Sequence, residues 1–506
     1  MLNEFWGKLK SGSDIRGTAM EDDNNSKIDL TNDIVEKICI SFTKWLGRKT
    51  NLDYKLITIA IGHDSRLSAN RIKNAAINAL RSIGVNIYDC SLTSTPAMMM
   101  ATSVLNCTGA IEITASHHPK NKNGLKFFTI NGGLSDNDIE EILEIAQNEE
   151  TIINSYTGNV RTINIMGYYE EKLRNIIIKE INAESPLPLK GLKIVVDAGN
   201  GAGGFFVENV LKPLGADTAG SIFLNPDGNF PNHISNPENK NAIECIVEAT
   251  KKAKADVGII FDTDVDRVAF VDECGKEITK DRFIALASYI ALENNKNGVI
   301  VTDSVTSDNL KTFIGSIGGN QFRYKRGYHN VIEMAKIINK KGTNCPLAIE
   351  SSGHAAFKEN NFIDDGAFLA AKVVAKLVNL RNQNIKLSDI TKELVSPKET
   401  ISLRVSINSE HWEELAEKVL SEFKSYANSG KIFNVDNENI EGVRVSLNSK
   451  HQDAWAILRR SIHDPVIVIY AESYNTGGLK QITNVLEEFF KKYDFIKFGS
   501  AKRGNL

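Results

Sequence analysis

Apolar positions along this chain follow two rhythms that alternate from end to end. Over residues 33–45 they recur at helical spacing (Ile34, Ile38, Phe42, Trp45), which predicts an amphipathic helix. Leu56, Ile57, Ile59, Ala60 and Ile61 then form a nearly continuous apolar run, as a strand buried on both faces requires. A helix over about 69–84 and a strand over about 85–89 come next. This succession predicts βαβ units, a mostly parallel sheet and crossover helices.

The same rhythm restarts twice. A helix is expected over about 167–182, followed by Pro186-Leu187-Pro188, whose prolines mark a joint. The run Leu192–Asp197 reads as a strand, and the glycine-rich turn Gly199–Gly204 is expected to open a helix. Its spacing does not fit the dinucleotide-binding pattern Gly-x-Gly-x-x-Gly, so a nicotinamide cofactor is rejected. A buried strand is expected over 257–261 and a second over 268–272. A third βαβ region begins near Asp281, with a strand over 298–302 and the apolar run 347–349 before the loop at Glu350. After about Pro397 comes a helix over 410–427, whose face of Trp412, Leu415, Val419, Phe423 and Tyr426 reads as a core stripe. A strand over 455–458 is expected to end at Arg459.

Length sharpens this picture. At 506 residues the chain is too long for one core and suggests roughly three to four domains. Hydrophobic residues at 42% and charged residues at 24% fit a soluble globular protein. The formal net charge of −3, with no long basic run, does not suggest electrostatic nucleic-acid binding. The six cysteines are widely scattered and form no Cys-x-x-Cys pair, against a thiolate zinc site and a disulfide framework. The amino terminus lacks an apolar stretch of signal-peptide length, and no apolar run nears the roughly 18 residues that span a bilayer. A cytoplasmic location is expected.

Four loops carry candidate chemistry. Thr114-Ala115-Ser116-His117-His118-Pro119 follows an apolar run, which would present the Ser116 hydroxyl at the carboxyl edge of a strand. By itself it also suits a turn or a helix cap. Asp262-Thr263-Asp264-Val265-Asp266-Arg267 stops a buried strand abruptly. Three carboxylates at alternate positions repel one another unless a cation sits among them, and hard oxygen ligands favour Mg²⁺. The spacing is not that of an EF-hand. Glu350-Ser351-Ser352-Gly353-His354 sets a carboxylate and a hydroxyl beside a glycine, a pairing that suits two vicinal sugar hydroxyls. Arg459-Arg460-Ser461-Ile462-His463-Asp464-Pro465 combines arginine, hydroxyl and loop amides, which suit phosphate as well as an ordinary charged turn. Between them, Tyr324-Lys325-Arg326-Gly327-Tyr328-His329 puts two cations and a histidine on one turn.

In this order, these loops resemble those of the α-D-phosphohexomutases, the phosphoglucomutase and phosphomannomutase superfamily. The family's serine loop reads Thr-Ala-Ser-His-Asn-Pro; here His118 replaces the asparagine. Gly12–Gly17, Gly62-His63-Asp64-Ser65-Arg66, Gly124-Leu125-Lys126-Phe127, Asp227–His233 and Lys358–Ala367 extend the resemblance over nearly the whole chain. In the fourth loop Arg459, Ser461 and Pro465 match, whereas Ile462, His463 and Asp464 depart.

The resemblance implies four domains, 1–160, 161–280, 281–396 and 397–506, around a central cleft. The first three would be related mixed α/β sheet-and-helix domains and the fourth a smaller α+β domain. It implies phosphoryl transfer through a phosphorylated Ser116, with Mg²⁺ on Ser116, Asp262, Asp264 and Asp266. Arg16, His117, Lys126 and Arg267 would steady charge or move the proton. Lys325, His329, Glu350, Ser352, His354, Arg459, Ser461 and His463 would bind the sugar phosphate. The reaction implied is the interconversion of hexose 1- and 6-phosphates, with hexose 1,6-bisphosphate as activator, in a monomer or homodimer. A phosphoglucosamine mutase, a non-catalytic sugar-phosphate sensor and a metal-dependent phosphatase remain as alternatives.

Overall fold

In a computed structural model, residues 1–21, 26–149, 157–430, 432–447, 454–461 and 464–498 are described. The chain divides into two units, Met1–Asn295 with Pro346–Thr391, and Lys296–Cys345 with Lys392–Leu506.

The first unit opens on an eight-stranded sheet. Gly109–Ile113, Thr58–His63, Asn86–Leu92 and Val160–Thr162 run parallel, as the βαβ rhythm predicts. The other side is antiparallel: Lys122–Thr129 pairs with Gly109–Ile113 and then with Asp14–Thr18. The sheet is therefore mixed rather than mostly parallel, because the serine loop returns as a hairpin instead of crossing over through a helix. Helix Asn32–Thr50 covers it, capped by the Thr31 side chain and ended by Asn51 at φ +57°, and it buries Ile38, Phe42 and Trp45 as the spacing predicts.

A second, four-stranded sheet runs Glu277–Ile278, Val268–Val271, Val257–Phe261 and Ile194–Asp197. The glycine-rich turn does not open an α-helix; it leads to a π-helical turn over Phe206–Leu211. Its glycines serve close packing, since a Cβ on Gly201 would meet Thr263 O at 2.5 Å and one on Gly204 would meet Leu224 O at 2.2 Å. The unit also holds the hairpin Leu347–Ile349 with Ala355–Phe357, and the buried helix Gly366–Asn382.

The second unit contains the parallel pair Val299–Thr302 and Asn320–Arg323. It also contains a six-stranded, wholly antiparallel sheet spanning Glu399–Lys497. Helices Trp412–Ser429 and Gly478–Phe490 bury Val419, Leu420, Phe423, Ile482 and Leu486 against it. Tyr426, expected on the core stripe, is 38% exposed; Ala416 and Ala427 are buried instead. The strand expected to stop at Arg459 continues through it, over Ala454–Arg460. All six cysteines are free thiols. Among the described residues no helix is long and apolar enough to cross a membrane.

Candidate active site

Ser116 and the three aspartates, 146 and more residues apart in sequence, meet in the first unit. Ser116 Oγ donates to Asp262 Oδ2 at 2.9 Å, and His117 Nδ1 lies 3.3 Å from the same hydroxyl. Ser116 is buried and has φ +50°, the left-handed region that costs a residue with a Cβ about 1–2 kcal/mol. Its surroundings fix that shape. Ser116 N–H donates to Thr114 Oγ1 at 2.8 Å, and Thr114 Oγ1 donates to Asp64 Oδ2 at 2.7 Å. The Arg66 guanidinium donates to the backbone oxygens of Ser116 (2.5 Å), His118 (2.6 Å), Pro119 (2.8 Å) and Lys122 (2.8 Å). Hydrogen bonds from a charged donor contribute about 1.5–3 kcal/mol each, so the clamp outweighs the strain.

The acidic loop is strained at Val265, a β-branched residue at φ +67°; this bend lets carboxylates at alternate positions turn to one side. Asp262, Asp264 and Asp266 are buried, with ligand-capable oxygens all within 4.8 Å of one another. Lys126 Nζ binds Asp264 Oδ2 at 2.9 Å and Asp266 Oδ2 at 2.5 Å, and Thr95 Oγ1 donates to Asp264 Oδ2 at 2.6 Å. Among the described residues, Asp264 Oδ1 and Asp266 Oδ1 are buried without a hydrogen-bond partner.

Charge within the triad is unequal. Burial, then Asp266 and Asp264, push the Asp262 carboxyl well above its ordinary value. Burial pushes Asp266 the same way, but Lys126, His354 and Arg267 hold it below the usual range. An all-oxygen donor set, two orphan oxygens and surplus negative charge fit a divalent cation. Burial, then Arg267, His118 and Arg16, push the His117 imidazole far down.

Three models of the phosphoglucomutase/phosphomannomutase family match the chain: α/β/α domain I over residues 7–152, domain II over 168–275 and domain III over 279–397. The chain belongs to the phosphoglucomutase/phosphomannomutase family. It is an enzyme of the mutase class, an isomerase. A phosphomannomutase/phosphoglucomutase of Pseudomonas syringae pv. tomato is 28% identical over 452 residues, covering 88% of this chain and 90% of that protein. A phosphoglucosamine mutase of Alkaliphilus oremlandii is 29% identical, covering 89% and 97%. In fold, the chain is similar to a family protein from Burkholderia thailandensis, with TM-score 0.79, 24% identity and coverage of 97% and 98%.

The first unit brings together most of the residues that the family resemblance singles out. Arg16 lies on the strand beside the serine loop, its Nη2 2.7 Å from Asp14 Oδ2. Arg267 N–H donates to Asp262 Oδ1 at 3.2 Å. The Glu350–His354 loop rests on the acidic hairpin: Val268 N–H donates to Gly353 O at 3.2 Å. There Ser352 Oγ donates to Glu350 Oε2 at 3.3 Å, and His354 Nδ1 lies 2.5 Å from Asp364 Oδ2, both pairs buried.

Lys325, His329, Arg459 and Ser461 belong to the second unit. Lys325 is exposed; His329 sits in the first turn of helix Tyr328–Lys340. Arg459 is a strand residue paired with Val468, and Ser461 Oγ accepts from Asp464 N–H at 3.2 Å. Ile462 and His463 lie outside the described residues. Sequence reasoning assigned no role to Asp64, Arg66, Thr95 or Asp364. Asp64 and Arg66 stood in a quoted motif, but nothing in a linear sequence says that a guanidinium reaches carbonyl oxygens some fifty positions on. Thr95 reads as the start of a helix.

Proposed function

We propose that the chain performs its family's reaction, interconverting hexose 1-phosphate and hexose 6-phosphate, through a phosphoserine at Ser116 and a hexose 1,6-bisphosphate. The observation that carries this reading is the Ser116 hydroxyl, 2.9 Å from Asp262 in a triad with two unpartnered carboxylate oxygens. The free hydroxyl oxygen of a bound hexose monophosphate attacks the phosphorus on Ser116. The P–Oγ bond breaks, and the hydroxyl proton passes to a base at the site, His117 being in reach of Oγ. After the bisphosphate turns over, Ser116 Oγ takes its other phosphoryl group.

His117 Nδ1, 3.3 Å from Oγ, is within reach of a proton moving there. Lys126, Arg16 and Arg267 steady the charge of the transferring group. Mg²⁺ held by Asp262, Asp264, Asp266 and Ser116 would neutralise phosphoryl charge. Glu350, Ser352 and His354 take the sugar hydroxyls. Lys325, His329, Arg459, Ser461 and His463 are assigned to the sugar phosphate by resemblance, as are the four domain boundaries and hexose 1,6-bisphosphate as activator. A cytoplasmic monomer or homodimer completes the reading. Glucose and mannose are the proposed sugars; the similarity to a phosphoglucosamine mutase favours glucosamine as the second reading.

The test is turnover of glucose 1-phosphate, mannose 1-phosphate and glucosamine 1-phosphate with Mg²⁺ and a trace of hexose bisphosphate. Ser116→Ala is expected to lower turnover at least about 10³-fold. Undiminished turnover in that variant would remove the phosphoserine. Ligand binding by the wild-type chain without turnover would make it a sensor.

A further inference from the structure

Arg66 touches none of the groups given a chemical role above, yet it is 2% exposed and its bonds converge on one loop. Four carbonyl oxygens within seven residues, those of Ser116, His118, Pro119 and Lys122, accept from its two terminal nitrogens. Nε makes an ion pair with Asp64 Oδ2 at 3.2 Å, and that oxygen accepts from Thr114 Oγ1. The Phe230 ring covers the guanidinium at 5.4 Å, and Gly228 permits that approach, since a Cβ there would meet Leu67 N at 2.4 Å.

We propose that Arg66 is a positioning residue for phosphoryl transfer: its fork holds the backbone on both sides of Ser116 so that Oγ stays aimed at the acidic triad. A planar five-donor group can serve four carbonyls at once, whereas an ammonium is a point charge with three donors. The loop has no other anchor of this kind among the described residues. Its conformation at Ser116 is one that a free chain leaves readily. Displacement of a reacting atom by about 1 Å costs on the order of 10² in rate.

This inference rests on the phosphoserine reading, and the experiment separates the two. Arg66→Lys, Thr114→Val and their double variant are compared with Ser116→Ala for kcat, KM and thermal unfolding. The rate at which glucose 1,6-bisphosphate phosphorylates dephosphorylated enzyme is followed by intact mass. Arg66→Lys is expected to lower kcat and the phosphorylation rate together, by about 10²-fold, with KM changed by less than about threefold. The double variant is expected to lose less than the product of the single losses, because both loosen one loop.

A kcat for Arg66→Lys within about twofold of wild type, with Ser116→Ala inactive, overturns the positioning role and leaves the phosphoserine standing. An active Ser116→Ala overturns the phosphoserine instead. Should Arg66→Lys fail to fold, Thr114→Val decides: unchanged kcat overturns the proposal, and lowered kcat at unchanged KM supports it.

Discussion

Residues 114–121 and residues 262–267 each join two antiparallel strands, and each contains one side-chain-bearing residue at positive φ, Ser116 at +50° and Val265 at +67°. They are held by different means. The serine loop is gripped from outside, through three of its backbone oxygens and that of Lys122 just after it, all of which accept from Arg66. The acidic loop closes on itself, Asp262 N–H donating to Arg267 O at 3.4 Å and Arg267 N–H to Asp262 Oδ1 at 3.2 Å. The nucleophile proposed at Ser116 needs position, which hydrogen bonds to the backbone supply whatever the charge nearby. A loop able to take a metal must leave carboxylate oxygens open, so its stability depends on charge, here on Lys126 and on any cation the triad would hold.

The largest effect expected from this difference is at Asp262. Asp262→Asn keeps one of the two oxygens that accept from Ser116 Oγ and the Arg267 N–H, and removes one of three crowded charges. Turnover should fall about 10³-fold, and added Mg²⁺ should recover part of it. Thermal unfolding in a chelator should start no lower than in wild type, since the lost charge is one that its neighbours disfavour. Arg66→Lys, by contrast, should not respond to Mg²⁺. A magnesium-insensitive loss with lowered thermal stability at Asp262 would mean that both loops depend on position alone.

Next comes Gly366, the first residue of the helix behind the acidic loop. A Cβ there would meet the Arg267 carbonyl carbon and oxygen at 2.8 Å and Val265 O at 3.0 Å, backbone atoms that cannot swing aside. Gly366→Ala should destabilise the fold by about 1–3 kcal/mol. It should also raise the Mg²⁺ concentration for half-maximal activity about tenfold, with kcat at saturating Mg²⁺ largely kept. Equal magnesium titrations of variant and wild type would show that the helix does not shape the loop.

How much of this the sequence disclosed depended on distance along the chain. Strands whose residues are buried on both faces, such as Val257–Phe261, were legible from apolar runs, and helix Asn32–Thr50 from its spacing. The acidic triad was legible because its repulsion is local to five residues. The hairpin return of Lys122–Thr129 was not, since periodicity carries no strand direction. Nor was the π turn after Gly204, since no sequence period separates it from an α-helix. Arg66 and Asp364 escaped because their partners, the serine-loop carbonyls and His354, become neighbours only after the chain folds.

The smallest effect separates side chain from backbone in the serine loop. His118 stands where the family's loop has asparagine, and its carbonyl, not its ring, accepts from Arg66. His118→Asn should therefore leave kcat within about threefold of wild type. Its signature is in stability. Burial, then Arg16, Arg66, Arg267 and Lys122, push the imidazole down to about 4 from 6.5. As pH falls below 6.5 the unfolded chain takes up this proton first, so the stabilisation present at neutral pH drains away down to about 4. Asparagine binds no proton, so the unfolding free energy of the variant should fall less steeply across that window. His354 and His233, pushed upward, lose their contribution as pH rises instead, and both remain in the variant. The two proteins' pH profiles should therefore part below 6.5, with His117, which His118 also pushes down, contributing to the difference. Parallel profiles would show that its imidazole is not held neutral by the surrounding cations. A large loss of kcat would show that the loop is held through this side chain as well as through its backbone.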